Sequence, residues 1–115
     1  MSAVVMLYTT WPDAETAETV GAEAVAERLA ACVNVLAPLR SIYRWNGAID
    51  RALEVPALFK TTTARADALS ALLRERHPYE VPAILALPVD EGGSNPAFLA
   101  WVAAETGDPT ETPPA

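Results

Sequence analysis

The sequence predicts an α+β domain whose strands and helices follow the order β-α-β-β-α-β, with a short helix added at the end. Three observations lead to this order. Apolar, β-branched runs alternate with segments in which apolar residues recur at helical spacing. An Asn-Gly pair separates two strand-like runs, and prolines stand at the ends of several segments. The length of 115 residues suits one such domain.

The first strand and the first helix are predicted from the N-terminal third of the chain. Ala3 to Thr10 is a β-branched, apolar run that suits a strand buried on both faces. Pro12 and Asp13 then begin a helix, because proline and acidic residues favour a helix N-terminus. Small residues dominate its predicted inner face, so this helix should lie close to the sheet: Ala17, Val20, Gly21, Ala24, Val25, Leu29 and Ala31.

A long hairpin is predicted between the second and third strands. Cys32 to Trp45 has strand chemistry with a bend at Pro38, and Ile49 to Thr62 returns. Between them, Asn46-Gly47 favours a type I′ turn, because both central positions of that turn need positive φ. Each strand is about twice the usual five or six residues. The hairpin should therefore extend beyond the domain's own core, and we expect a second copy of the chain to cover it.

The remaining elements complete a ferredoxin-like arrangement. Thr63 is predicted to cap a second helix that ends by His77, since Pro78 disfavours helical geometry before it. Its inner face would carry Ala66, Leu69, Leu72 and Leu73. Ala83 to Leu87 is predicted as the last strand, and Asn95-Pro96 begins the terminal helix. Residues 1–107 are expected to form one domain, and the proline-rich residues 108–115 a disordered tail.

Charge and composition argue against several classes of protein. The net charge of −7, from 8 basic and 15 acidic residues, disfavours nucleic acid as a partner. No apolar run approaches the roughly 20 residues that span a bilayer, and no basic segment precedes the first apolar run. One cysteine excludes an internal disulfide. We therefore expect a cytoplasmic protein that binds neither nucleic acid nor membranes.

The residues that could carry chemistry do not assemble a catalytic set. His77 is the sole histidine, and a lone histidine before a helix-ending proline is typically a surface or capping residue. Cys32 is typical of a small buried hydrophobe. Lys60, the sole lysine, shares a strand face with Glu54 and could hold an anion, although a simple salt bridge is the more common role. Because no glycine-rich phosphate loop is present either, the protein is predicted not to be an enzyme.

Several segments together resemble the CutA family of divalent-cation tolerance proteins, from about Val4 to Glu105. They are Leu29-Ala30-Ala31-Cys32-Val33-Asn34, Tyr43-Arg44-Trp45-Asn46-Gly47, Glu54, Lys60-Thr61 and His77-Pro78-Tyr79-Glu80-Val81-Pro82. The resemblance implies a ferredoxin-like protomer in a PII-like homotrimer that takes part in tolerance of copper and other divalent cations. It implies no organic cofactor and no established enzymatic activity.

The resemblance also assigns residues to sites. His77 matches the best candidate for a metal ligand, with Cu(II) or another divalent cation as the implied ion. Cys32, Trp45, Glu54, Lys60 and Tyr79 match recurrent positions of a ligand-binding cleft between subunits. This chain departs from relatives proposed to bind copper at two positions: Tyr8 replaces a cysteine and Arg76 a second histidine.

Other functions of this strand order are weighed against the same residues. A PII-like regulator or scaffold would hold a small anion or a partner segment in the cleft, near Lys60, Glu54, Trp45 and Tyr79. An RNA-binding module needs exposed aromatics beside basic residues, which the strand around Glu54 lacks. An acylphosphatase-like enzyme needs an arginine after the first strand, and residues 9–13 contain none.

Overall fold

The computed structural model describes residues 3–107. The predicted order is confirmed, with the second predicted strand divided in two at residues 36–38. The strands and helices are β1 (Val4–Trp11), α1 (Ala14–Ala26), β2 (Cys32–Val35), β3 (Leu39–Trp45), β4 (Ala48–Thr62), α2 (Thr63–Arg76), β5 (Ile84–Pro88) and α3 (Pro96–Glu105). The predicted tail at 108–115 lies outside the described residues, so the domain boundary stays a prediction.

The chain forms one antiparallel sheet with the strand order β2-β4-β1-β5. The long β4 pairs with β2 and β1 through its C-terminal half and with β3 through its N-terminal half. Because side chains alternate between the two faces of a strand, Leu7 and Phe59 point to the same face as Val33 in the register observed. Helices α1 and α2 cover that face.

The core lies between the sheet and these two helices. Trp11, Phe59, Leu69 and Leu73 are completely or almost completely buried there. The predicted close approach of α1 is confirmed at Gly21, where an added Cβ would lie 3.3 Å from a Val33 methyl carbon. The predicted inward position of another α1 residue is wrong: Val25 is 41% exposed and lines an open groove beside Val33 and Val35 of the edge strand β2.

The β3–β4 hairpin projects from this core. Asn46 and Gly47 have φ values of 50° and 80°, so the turn has positive φ at both predicted positions. The described part of the chain measures 55 × 29 × 23 Å. Apolar side chains on the hairpin face solvent in the single chain: Ile42, Ile49 and Leu53 are each about two-thirds exposed.

Helix α3 packs on the opposite face of the sheet, at one end. Val102 is fully buried against Val4 and Ala31. Arg28 and Arg65 donate hydrogen bonds to the carbonyl oxygens of Ala104 and Thr106, near the helix C-terminus. Positive groups favour that end of a helix. The terminal helix therefore covers part of the sheet face opposite α1 and α2.

The start of α2 differs from the prediction by one residue, whereas the start of α3 agrees with it. Thr63 is the first residue of α2 rather than its cap; Thr62 holds the cap position without a side-chain capping bond. Asn95 caps α3 as expected and accepts a hydrogen bond from the amide of Ala97. Within residues 3–107, every helix is too short or too polar to cross a membrane.

Candidate functional site

A groove of about 610 Å³ lies between the β3–β4 hairpin and the segment that follows α2. Its floor comes from β1, one wall from the hairpin and the other from residues 79–83. The lining residues are Tyr8, Thr10, Ser41, Tyr43, Trp45, Asp50, Ala52, Glu54, Tyr79, Glu80, Val81 and Ala83.

The register of the hairpin decides which residues face the groove. Tyr43 lies opposite Asp50 and Ser41 opposite Ala52 in the antiparallel pairing. Side chains alternate along each strand, so every second residue reaches the groove. The residues between them form the back of the hairpin, which is basic and apolar: Arg40, Ile42, Arg44, Ile49, Arg51 and Leu53. The hairpin thus has an aromatic, acidic front and a basic, apolar back.

The groove is negatively charged. Asp50, Glu54 and Glu80 contribute carboxylates, and none of the lining residues in the described part of the chain is lysine or arginine. Burial, reinforced by the negative charge and hydrogen bonding of Glu54, raises the pKa of Tyr79 above its ordinary value. The phenol of Tyr79 therefore stays protonated beside the carboxylates of this partly buried groove.

His77 lies beneath this groove, buried behind Tyr79. Its Nε2 lies 2.7 Å from the carbonyl oxygen of Thr10, and its Nδ1 lies 3.1 Å from the amide nitrogen of Tyr79. Since the carbonyl can only accept and the amide can only donate, Nε2 carries the hydrogen and Nδ1 accepts. The ring also stacks on Trp11, with 4.2 Å between centroids. Through these hydrogen bonds, the imidazole connects β1 to the loop that forms one wall of the groove.

These contacts leave His77, the predicted metal ligand, without a free ring nitrogen. A metal would need a free ring lone pair, and that of Nδ1 already accepts the Tyr79 amide. Among residues 3–107, no group of three His, Cys, Asp or Glu side chains is placed to hold a metal ion. The side chains of this described part of a single chain therefore do not fit a Cu(II) site, which prefers several nitrogen-rich ligands.

The structure divides the predicted ligand-binding residues into two groups. Trp45, Glu54 and Tyr79 all line the groove. Cys32 and Lys60 are neighbours across β2 and β4, away from it. The Lys60 ammonium lies 5.3 Å from the centroid of the Phe98 ring on α3, a cation–π arrangement. Within residues 3–107 Lys60 forms no salt bridge. Its role in a cleft between subunits stays a prediction.

Sequence reasoning missed three important residues. Trp11, which is fully buried and supports His77, ends the first apolar run and could have been included in it. Asp50 could have been found from the Asn46-Gly47 turn, because that turn sets Tyr43 opposite it. Glu80 sits inside the His77-to-Pro82 motif, but only the tertiary structure brings it to the hairpin.

Comparisons with known proteins agree with this architecture. The sequence profile of the CutA1 divalent ion tolerance protein family matches residues 5–105. The chain belongs to the CutA1 family. The divalent-cation tolerance protein CutA of Thermus thermophilus is 44% identical over 107 residues, which cover 93% of this chain and all of that protein. Mouse Protein CutA is 41% identical over 95 residues, 83% of this chain, which spans about half of the mouse protein (52%).

Solved CutA1 structures have the same fold. The Thermus thermophilus protein superposes with a TM-score of 0.86 at 41% identity, covering 90% of this chain and 99% of that one. The periplasmic divalent cation tolerance protein CutA of Archaeoglobus fulgidus gives 0.86 at 29% identity, with the same two coverages. The ferredoxin-like fold predicted for this CutA1 chain is therefore confirmed.

The structure locates the two residues, Tyr8 and Arg76, at which this CutA1 protein departs from relatives proposed to bind copper. Tyr8 lines the floor of the groove. Arg76 makes a paired interaction with Glu23, with N–O distances of 3.0 and 2.9 Å, and so joins α2 to α1. The Arg76 guanidinium lowers the pKa of Glu23 below its usual range.

Proposed function

We propose that this CutA1 protein acts as a homotrimer in the response to divalent cations, with the aromatic, acidic groove as its ligand site. The observation that carries the assembly is the exposed apolar surface of the projecting hairpin, where Ile42 and Leu53 are 66% and 67% exposed. Large apolar side chains on a projecting hairpin typically mark an interaction surface. A cyclic trimer would cover this surface with a neighbouring copy.

Light scattering on the eluting protein tests the assembly. The wild type should have the mass of three chains, and Ile42→Asp or Leu53→Asp should shift it toward one chain. Val25→Asp is the matched control, since Val25 is also an exposed apolar residue but lies on α1. A monomeric wild type would refute the trimer, and trimeric hairpin variants would refute the role of this surface.

A divalent metal ion, with Cu(II) as the first candidate, would have to draw ligands from more than one protomer. A groove carboxylate such as Glu54 could supply one ligand of such a site, with the other ligands coming from a neighbouring subunit. His77 could contribute there after releasing its bond to Tyr79. Titration of Cu(II) against a competing chelator tests both candidate ligands. Loss of binding in Glu54→Gln would place the metal in the groove, and loss of binding in a folded His77→Ala would identify the imidazole as a ligand.

The alternative of a regulatory trimer that binds a small anion has little support in this groove, because three carboxylates line it and Lys60 lies elsewhere. A trimer that binds a partner segment or a cation agrees better with the charge. We propose no catalytic activity, and we retain the cytoplasm as the proposed location. Fractionation of the cells with an antibody to the protein tests the location.

A further inference from the structure

We propose that the groove binds a linear aliphatic polyamine, such as a diamine or triamine with ammonium groups at both ends. The inference rests on the proposed role of the groove as the ligand site of this protein, and it names the chemical class of the ligand. Three features of the lining support it: the aromatic rings, the spacing of the carboxylates and the absence of basic side chains among the lining residues.

Aromatic rings form much of the groove surface. Tyr43 and Trp45 project from the hairpin, Tyr8 from the floor and Tyr79 from the opposite wall. Trp45 is 56% exposed and Tyr43 40% exposed, so their surfaces are accessible in the protomer. The faces of such rings attract ammonium groups and also pack against methylene chains. A ligand with both parts would use the whole surface.

The spacing of the carboxylates selects an extended cation. Asp50 and Glu54 lie four residues apart on β4, on the same face, and so are separated by about 13 Å along the strand. Glu80 stands on the opposite wall. A metal ion binds oxygen ligands at distances of up to about 2.6 Å, so a single ion cannot bind the carboxylates of Asp50 and Glu54 at the same time. A compact monocation reaches one carboxylate, whereas a chain with charges at both ends reaches two.

The size and potential of the groove agree with this ligand. Its volume of about 610 Å³ lies within the range of roughly 300–1,000 Å³ that is usual for small-molecule sites. The arginines of the same hairpin, Arg40, Arg44 and Arg51, belong to its back face and do not neutralise the groove. Tyr79, whose pKa Glu54 helps to raise, is partly buried, so this part of the groove surface is partly shielded from solvent. Anionic ligands would meet three like charges.

Calorimetric titration of the intact protein with spermidine, at physiological ionic strength, tests the proposal. Spermidine should bind more tightly than butylamine, which carries one charge. Asp50→Asn and Glu54→Gln should each weaken binding by roughly tenfold, the usual effect of losing one charge-assisted hydrogen bond. Trp45→Ala should also weaken it, and Trp45→Phe should restore most of the affinity.

The controls separate groove binding from general attraction to an acidic protein. Asp67→Asn removes one negative charge from the exposed surface of α2 and should leave the affinity unchanged. Equal weakening by Asp67→Asn and Glu54→Gln would overturn the proposal, as would equal affinity for butylamine and spermidine. Binding of a lysine-rich peptide without binding of spermidine would assign the groove to a protein partner and overturn it as well.

A parallel Cu(II) titration keeps this inference separate from the proposed function. If spermidine fails to bind but Cu(II) binding depends on Glu54, the groove remains a ligand site and the polyamine is refuted. If neither binds, the groove is refuted as the ligand site. Competition between the two ligands for the wild type would support a shared site.

Discussion

Replacement of His77 by alanine should destabilise the metal-free protein strongly. The side chain is 7% exposed and makes two hydrogen bonds, to the carbonyl of Thr10 and from the amide of Tyr79. Each such bond contributes about 1 kcal/mol net. The stacked contact with Trp11, at 4.2 Å, adds roughly 0.5–1.5 kcal/mol. The free energy of unfolding should therefore fall by about 3 kcal/mol, a large part of the roughly 5–15 kcal/mol typical of a domain.

Urea denaturation at one fixed protomer concentration, with a chelator present, measures this loss. His77→Gln and His77→Asn should lose less than His77→Ala, because an amide side chain can keep one of the two hydrogen bonds. Arg74→Ala, on the exposed side of α2, is the control and should change stability by less than about 0.5 kcal/mol. An unchanged midpoint for His77→Ala would refute the structural role and would indicate that the imidazole serves only a ligand.

Further predictions concern charge and packing. Glu23→Gln should destabilise the protein at neutral pH, because Arg76 lowers the pKa of Glu23 below 4.5 and so stabilises the folded state above that pH. The difference in stability between the wild type and Glu23→Gln should vanish as the pH falls through the pKa of the folded carboxylate. Glu54→Gln should move the pKa of Tyr79 back toward 10.0, which the tyrosinate absorbance during an alkaline titration would report. Gly21→Val should lower the thermal midpoint, because its Cβ would stand 3.3 Å from a β2 methyl carbon and its branches closer still.

Local patterns predicted much of the fold because their physical causes are local. The turn at Asn46-Gly47 requires positive φ at two adjacent positions, and both residues tolerate it. Pro38 interrupts a strand because proline removes a backbone donor, and the observed break between β2 and β3 includes it. The glycine of α1 predicted a close approach to the sheet, and Gly21 lies against Val33.

The features that sequence reasoning missed depend on contacts between distant parts of the chain. His77 and Thr10 are 67 positions apart, so no local pattern indicates that the imidazole is held by β1. A histidine before Pro-Tyr resembles a ligand as readily as a structural residue. Val25 has helical spacing that fits the inner face of α1, but in the structure it lies beside the edge strand β2 and is 41% exposed.

The division of the predicted cleft follows from the geometry of one strand. Glu54 and Lys60 share a face of β4 because they are an even number of residues apart, yet six residues correspond to about 20 Å along the strand. A shared face therefore does not make a shared site. Within one protomer, the groove around Glu54 and the Lys60 region remain separate, and one small ligand cannot contact both. If Glu54 and Lys60 contact the same ligand, the two residues must come from different subunits. A cleft that contains both residues therefore requires the proposed trimer.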